Sequence, residues 1–203
     1  METKTYQVYS FNELSENAKQ NALEKNRYWN VKYVEWYDFT IEDWTSKLKA
    51  AGFTNTVIQF SGFSSQGDGA RFTGGVDEDV LFNTLIYCAG NNYKQARLAE
   101  KALLLWENDL LSVTISKNRI SHYVHEGTVS VSVDYYGQSV WDSEYWSDFI
   151  EQVENMIDDY RRDLCHAIYK DLETEYEWLT GDEQIIESFE ANEIMFRENG
   201  DID

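Results

Sequence analysis

The sequence predicts an α+β fold: an antiparallel sheet with helices packed on one side and an acidic helical segment at the C-terminus. Three observations lead there. Thr128–Tyr136 alternates strictly, with Val129, Val131, Val133 and Tyr135 on one face and Ser130, Ser132, Asp134 and Tyr136 on the other. A helical-period apolar stripe (Phe149, Val153, Met156 or Ile157, Tyr160, Leu164, Ile168, Tyr169) runs through about 147–179. Helix and strand signals also come in runs, not in the strict alternation of a parallel sheet.

Tyr6–Phe11 reads as a short strand, after which Asn12 or Ser15 offers an N-cap for a helix from Glu16 to Trp29. A second helix covers about Val34–Ala51 and ends at Gly52. Phe53–Phe63 is a strand, followed by a glycine-rich loop and a return strand from Ala70 to about Gly75. Asp77-Glu78-Asp79 places negative charge where a helix dipole favours it, opening a helix to Cys88 that Gly90 ends. Tyr93–Trp106 is a further helix with Ala96, Ala99, Leu103 and Trp106 inside. Leu110–Ser116, Ile120–His125 and Thr128–Tyr136 suggest a three-stranded meander. One long helix or two shorter ones follow over about 147–179, and a last helix spans about Asp182–Glu198, leaving Asp201-Ile202-Asp203 frayed. A single domain is expected: 1–140 as a mixed core, 141–203 as the acidic segment packed on it.

The chain has 203 residues and a net charge of −20. Residues 1–140 hold 17 acidic and 13 basic side chains, a net of −4; residues 141–203 hold 20 and 4, a net of −16. Direct nucleic-acid binding through a basic surface is excluded, because phosphates would be repelled. The acidic third is either a solvated, solubilising face or a surface that meets a basic partner. No run approaches a membrane span, and Met1–Thr5 lacks an apolar signal segment, so a soluble cytoplasmic protein is expected. Cys88 and Cys165 are expected as reduced, buried thiols. Proline is absent, so the turns depend on Gly, Asn and Asp.

The candidate chemistry centres on Ser61–Arg71. Gly62, Gly67 and Gly69 allow close backbone approach, and Asp68 between two glycines suits a tight turn. Ser61, Ser64, Ser65, Gln66, Asp68 and Arg71 are the groups that could contact a ligand or partner. The loop matches neither the Walker pattern nor the dinucleotide fingerprint, and a purely structural strand–loop–strand turn is the plain alternative. His122 and His125 would point to opposite faces of a strand, so they make no metal pair. Cys165 and His166 diverge on a helix. Asp158, Asp159, Asp171, Glu173, Glu175 and Glu177 form a dense acidic series without an EF-hand pattern, partly neutralised by Arg161 and Arg162. Tyr136, Trp141, Tyr145 and Trp146 cluster at a strand-to-helix junction, as core or as an interface rim. No catalytic residue, cofactor or metal is assigned.

Two segments, Ser10–Lys19 and Phe60–Ala70 (Phe-Ser-Gly-Phe-Ser-Ser-Gln-Gly-Asp-Gly-Ala), resemble a family of small, antitoxin-like tailed-phage proteins. The spacing between them, with a tryptophan-rich helix and Ala51-Gly52-Phe53, fits as well, so the likeness covers about the first 75 residues. Size and type resemble phage anti-DarT factors, which counter a host toxin that ADP-ribosylates DNA. The resemblance implies a phage accessory protein that blunts a bacterial defence in the infected cell's cytoplasm, with no catalytic residues to carry over. The expectation is therefore a non-enzymatic inhibitor whose acidic surface binds a host defence or toxin protein with a basic, nucleic-acid-binding surface. Two alternatives stay open: a nucleotide-type ligand sponge or enzyme with its pocket at the 61–71 loop, and a strict DNA mimic.

Overall fold

The first helix, α1 (Glu16–Lys25), begins where Ser15 Oγ accepts the Ala18 N–H (3.4 Å). In the computed structural model, which describes residues 7–117, 123–137 and 143–203, it is followed by α2 (Asp38–Ala50), β1 (Phe53–Phe60), β2 (Ala70–Val76), α3 (Glu78–Ala89) and α4 (Tyr93–Glu107). Then come β3 (Leu111–Lys117), β4 (Val129–Tyr135), α5 (Ser143–Leu179) and α6 (Asp182–Ala191). The fold is α+β, with two antiparallel two-stranded sheets, β1–β2 and β3–β4. No helix among the described residues is long and apolar enough to cross a membrane.

The chain divides into two compact units, Thr40–Asp171 on one hand and Met1–Phe39 with Leu172–Asp203 on the other. The divide does not follow the composition break near residue 140: it falls within α2 and within α5.

In Thr40–Asp171, β1 and β2 pair from Phe53↔Val76 to Phe60↔Ala70, with an irregularity between Thr54 and Val57. β3 and β4 pair from Leu111↔Tyr135 to Lys117↔Val129. The alternation seen in the sequence is a burial pattern here: Leu111, Val113, Ile115, Val129 and Val133 are buried. Each of these two strands has an amide capped by a helix carboxylate, Val113 N–H by Glu78 (3.2 Å) and Val133 N–H by Glu154 (2.8 Å). The expected meander is a hairpin in the described residues. Residues 123–125 are not a strand, and 118–122, with His122, lie outside the described residues. α5 is one helix of 37 residues; Phe149, Val153, Met156, Ile157 and Ile168 of its stripe are buried, and so is Cys165 beside them. Cys88 is exposed rather than buried, because it falls on the outer side of the last turn of α3 beside Tyr87.

The other unit is held by an apolar cluster of Phe11, Leu14, Ala18, Ala22, Ile185, Phe189 and Phe196. Its rings meet edge-on or tilted, Phe189–Phe196 at 5.1 Å and Phe11–Phe189 at 5.8 Å. Three expectations are corrected here. The N-terminal strand is reduced to one bridge, Tyr9 with Phe196, before a single 3-10 turn at Phe11–Glu13, and Tyr6 lies outside the described residues. The last helix stops at Ala191 instead of Glu198. Glu193 takes φ +51°, and Ile194 N–H reaches back to Phe189 O (2.9 Å), so the chain reverses and buries Phe196. Asp201–Asp203 is accordingly not frayed: Ile202 bridges Phe196, and Asp203 N–H donates to Met195 O (3.0 Å). Gly200 makes that turn at φ +86°, and a Cβ there would stand 2.2 Å from Ala18 O.

Candidate functional site

The glycine-rich turn closes the β1–β2 hairpin and is built largely from its own hydrogen bonds. Ser61 N–H donates to Gly69 O (3.0 Å), and Ser61 Oγ accepts the Gly69 N–H (3.1 Å) while donating to Val124 O (3.2 Å). Asp68 Oδ2 accepts the N–H groups of Ser65 (2.7 Å) and Ser64 (3.1 Å), and Asp68 N–H donates to Ser65 O (3.1 Å). These donors, Ser65 foremost, hold the Asp68 carboxyl below the ordinary aspartate value. Gly67 supplies φ +95°. A Cβ on Gly69 would lie 2.8 Å from His125 Cβ, so glycine is what lets the 123–129 segment approach. Gly62 O accepts from Tyr169 of α5 (2.8 Å), and the Phe63 ring lies 5.9 Å from Phe60 and 5.3 Å from Tyr169. Ser64, Ser65, Gln66 and Gly67 form the exposed tip, which offers neutral groups.

Arg71 is not at that tip. It is 3% exposed; Nε and Nη2 donate to Gln59 Oε1 (3.1 and 2.9 Å), and Nη1 to Tyr123 O (3.0 Å) and Thr128 Oγ1 (2.8 Å). Its donors are engaged inside the fold, which corrects its reading as a surface contact. A second buried guanidinium, which the sequence reading gave no role beyond neutralising charge, reaches the same segment from α5. Arg161 is fully buried and donates to Glu126 O (2.9 Å), Val129 O (3.3 Å) and Asp158 Oδ1 (2.6 and 2.9 Å). Its signal was present in the sequence, since position 161 falls on the apolar stripe between Ile157 and Cys165. Burial pushes the Cys165 thiol up to about 11, against the Arg161 charge beside it.

The acidic series does not form one face. At 100° per residue, Asp159, Glu173 and Glu177 share one side of α5, while Asp171 and Glu175 fall opposite. Asp158 is spent on Arg161 and on Arg162 Nε (2.6 Å), which corrects its reading as a free surface charge. Asp171 accepts from Trp44 Nε1 (3.0 Å). A different set lines up: Glu144, Asp148, Glu151, Asp159 and Asp163 are all exposed within about 120° of one side of α5, over about 28 Å of axis. Arg162 interrupts this stripe and shares the single Asp158 charge with Arg161.

His125 Nδ1 accepts the Gly127 N–H (3.1 Å), and the Glu126 carboxylate lies 3.6 Å from His166 Nε2. Among the described residues, no three His, Cys, Asp or Glu side chains are grouped to hold a metal ion. An open groove of about 440 Å³, floored by Phe11, Leu23 and Ile186, lies in the terminal unit; the glycine-rich turn contributes nothing to it. Of the aromatic junction, Trp146 stacks on Tyr135 (4.4 Å, 15°), Tyr136 Oη is 3.0 Å from Ser112 Oγ, and Trp141 lies outside the described residues.

No curated protein and no solved structure matches the chain. One family does, described as a domain of unknown function, over residues 36–182. That span contains all of Thr40–Asp171, with the glycine-rich turn, both buried arginines and the α5 stripe, and excludes the whole Phe11–Phe189–Phe196 cluster. On that match, the chain belongs to the DUF8835 family.

Proposed function

We infer that this protein is a non-catalytic inhibitor that binds a basic protein surface through the carboxylate stripe of α5. The observation that carries the reading is the set Glu144, Asp148, Glu151, Asp159 and Asp163, exposed on one side of a single helix. A straight row of carboxylates about 28 Å long suits a groove that otherwise holds a nucleic-acid backbone. The resemblance to antitoxin-like phage proteins supports a bacterial defence protein or toxin as the target, met in the cytoplasm of the infected host. The glycine-rich turn then serves as a neutral, shape-specific contact through Ser64, Ser65 and Gln66. The ligand-sponge reading draws no support from Asp68 or Arg71, whose polar groups are engaged within the fold.

The test is capture from nuclease-treated host lysate by immobilised protein, beside a variant carrying Glu144→Lys, Asp148→Lys, Asp159→Lys and Asp163→Lys. The expected result is one nucleic-acid-binding protein held at low salt, released at high salt, displaced by duplex DNA and absent from the variant. Capture of the same protein by the variant, or indifference to salt, overturns the reading.

A further inference from the structure

Lys101 of α4 ends in a box of aromatic rings. Its Nζ lies 4.3 Å from the ring centroid of Phe149, 4.4 Å from Tyr145 and 4.5 Å from Trp146, and it donates to Tyr145 Oη. Among the described residues no carboxylate forms an ion pair with this ammonium. A lysine that meets three rings and pairs with no carboxylate among the described residues is held by the ring quadrupoles and one hydroxyl. The walls are fixed by their own packing. Trp146 stacks on Tyr135 of β4 at 15° and meets Tyr145 and Phe149 nearly perpendicularly, at 78° and 87°. Phe149 is a buried floor, while Tyr145 is half exposed and forms the outer wall. The box therefore does not need Lys101 to hold its shape.

We propose that Tyr145, Trp146 and Phe149 form a binding site for a methylated ammonium cation, which Lys101 fills from within until such a cation displaces it. The chemistry favours the methylated guest. A lysine ammonium has three N–H donors, and the Tyr145 hydroxyl is the one protein acceptor its Nζ meets among the described residues. A quaternary ammonium has no N–H to leave unmet and less hydration to lose, while its charge and its methyl groups both suit the rings. The exposed carboxylates of Glu144 and Asp148 flank the site on the same two turns of α5 and favour a cation over a neutral guest. The site does not rest on the inhibitor reading: it requires no protein partner, and although it shares Glu144 and Asp148 with the α5 stripe, reversing only Asp159 and Asp163, more than two turns beyond Phe149, tests that reading separately.

The experiment titrates the full chain, unsubstituted and as Lys101→Ala, with choline and with choline's neutral carbon isostere, following binding by isothermal titration calorimetry. Choline is expected to bind Lys101→Ala about tenfold more tightly than the unsubstituted protein, because it no longer competes with the resident ammonium. The isostere is expected to bind neither, and adding Trp146→Ala to Lys101→Ala is expected to abolish binding. A trimethyllysine peptide run beside choline separates the two sources of such a cation; tighter binding of either supports the site and identifies its guest. Equal affinity for choline and its isostere, or no response in Lys101→Ala, overturns the proposal. Should Lys101→Ala fold poorly, the unsubstituted protein decides. With lysine Cε isotope-labelled, the ring-shifted Lys101 resonances must move towards free lysine as choline is added. Resonances unmoved at the highest soluble choline concentration refute displacement.

Discussion

Removing either partner of the Asp158–Arg161 pair should destabilise Thr40–Asp171, and the two removals should differ in a set order. Arg161 is fully buried, whereas the Asp158 side chain is 23% exposed and has a second partner in Arg162 at 2.6 Å. Asp158→Ala leaves a buried guanidinium with two backbone carbonyls and a thiol but no anion. Stranding a buried charge costs about 3–5 kcal/mol. Arg161→Met strands less, since Asp158 keeps Arg162 and some water. What is lost is the pair of charged bonds to Glu126 O and Val129 O, at about 1.5 kcal/mol each, partly offset by the methionine stem in the same apolar surroundings. The expected cost is about 2 kcal/mol. Urea unfolding measures both: at a slope of about 2 kcal/mol/M, the midpoint falls by about 2 M for Asp158→Ala and by about 1 M for Arg161→Met. Hydrogen exchange at the amides of Val129–Val133 confirms that the affected unit is the one being read. An Arg161→Met loss equal to or larger than that of Asp158→Ala refutes the reasoning, because the buried charge would then not be what Asp158 neutralises.

Other outcomes follow from the same structure. A native thiol titration should modify Cys88 quickly and leave Cys165 intact, since Cys165 is buried and its thiol is pushed up to about 11; both should react in denaturant, and rapid native labelling of Cys165 sinks this assignment. Asp68 has a lowered pKa in the fold, so its contribution is present above the unfolded value of 3.8 and lost as pH falls through the lower folded value. Amide resonances of Ser64 and Ser65 should therefore titrate below pH 3.8, and a midpoint at or above it refutes the turn's hydrogen-bond account. Phe196→Ala should cost about 3–5 kcal/mol and release the bridge to Ile202, seen as faster exchange of C-terminal amides; a cost below about 1 kcal/mol would show that the cluster does not depend on this ring.

Local periodicity gave away the elements whose burial depends on one regular face. The β4 valines, the α5 stripe, the Asp77 start of α3 and the Ser15 start of α1 were readable because a strand or helix repeats its environment every two or every three to four residues. The glycine-rich segment was readable as a tight turn because positive φ and close approach leave glycine as the residue of choice. Misreadings fell where a contact distant in sequence outweighed the local preference. Residues 192–198 look helical, yet burying Phe196 against Phe11 and Phe189 bends them back to Tyr9 and orders Ile202.

The sequence by itself determined the α+β class, the concentration of negative charge in the last third and the place of the turn, since composition and short-range spacing are enough for each. Only the tertiary structure decided what the charged side chains do. It buried Arg71 and Arg161 against the 123–129 segment, took Asp158 out of the acidic surface, and aligned Glu144, Asp148, Glu151, Asp159 and Asp163 instead. It also brought Lys101 to three rings more than 40 residues further along the chain. The reason is that a charge is written in the sequence, whereas its partner and its access to water are set by segments that meet only after folding.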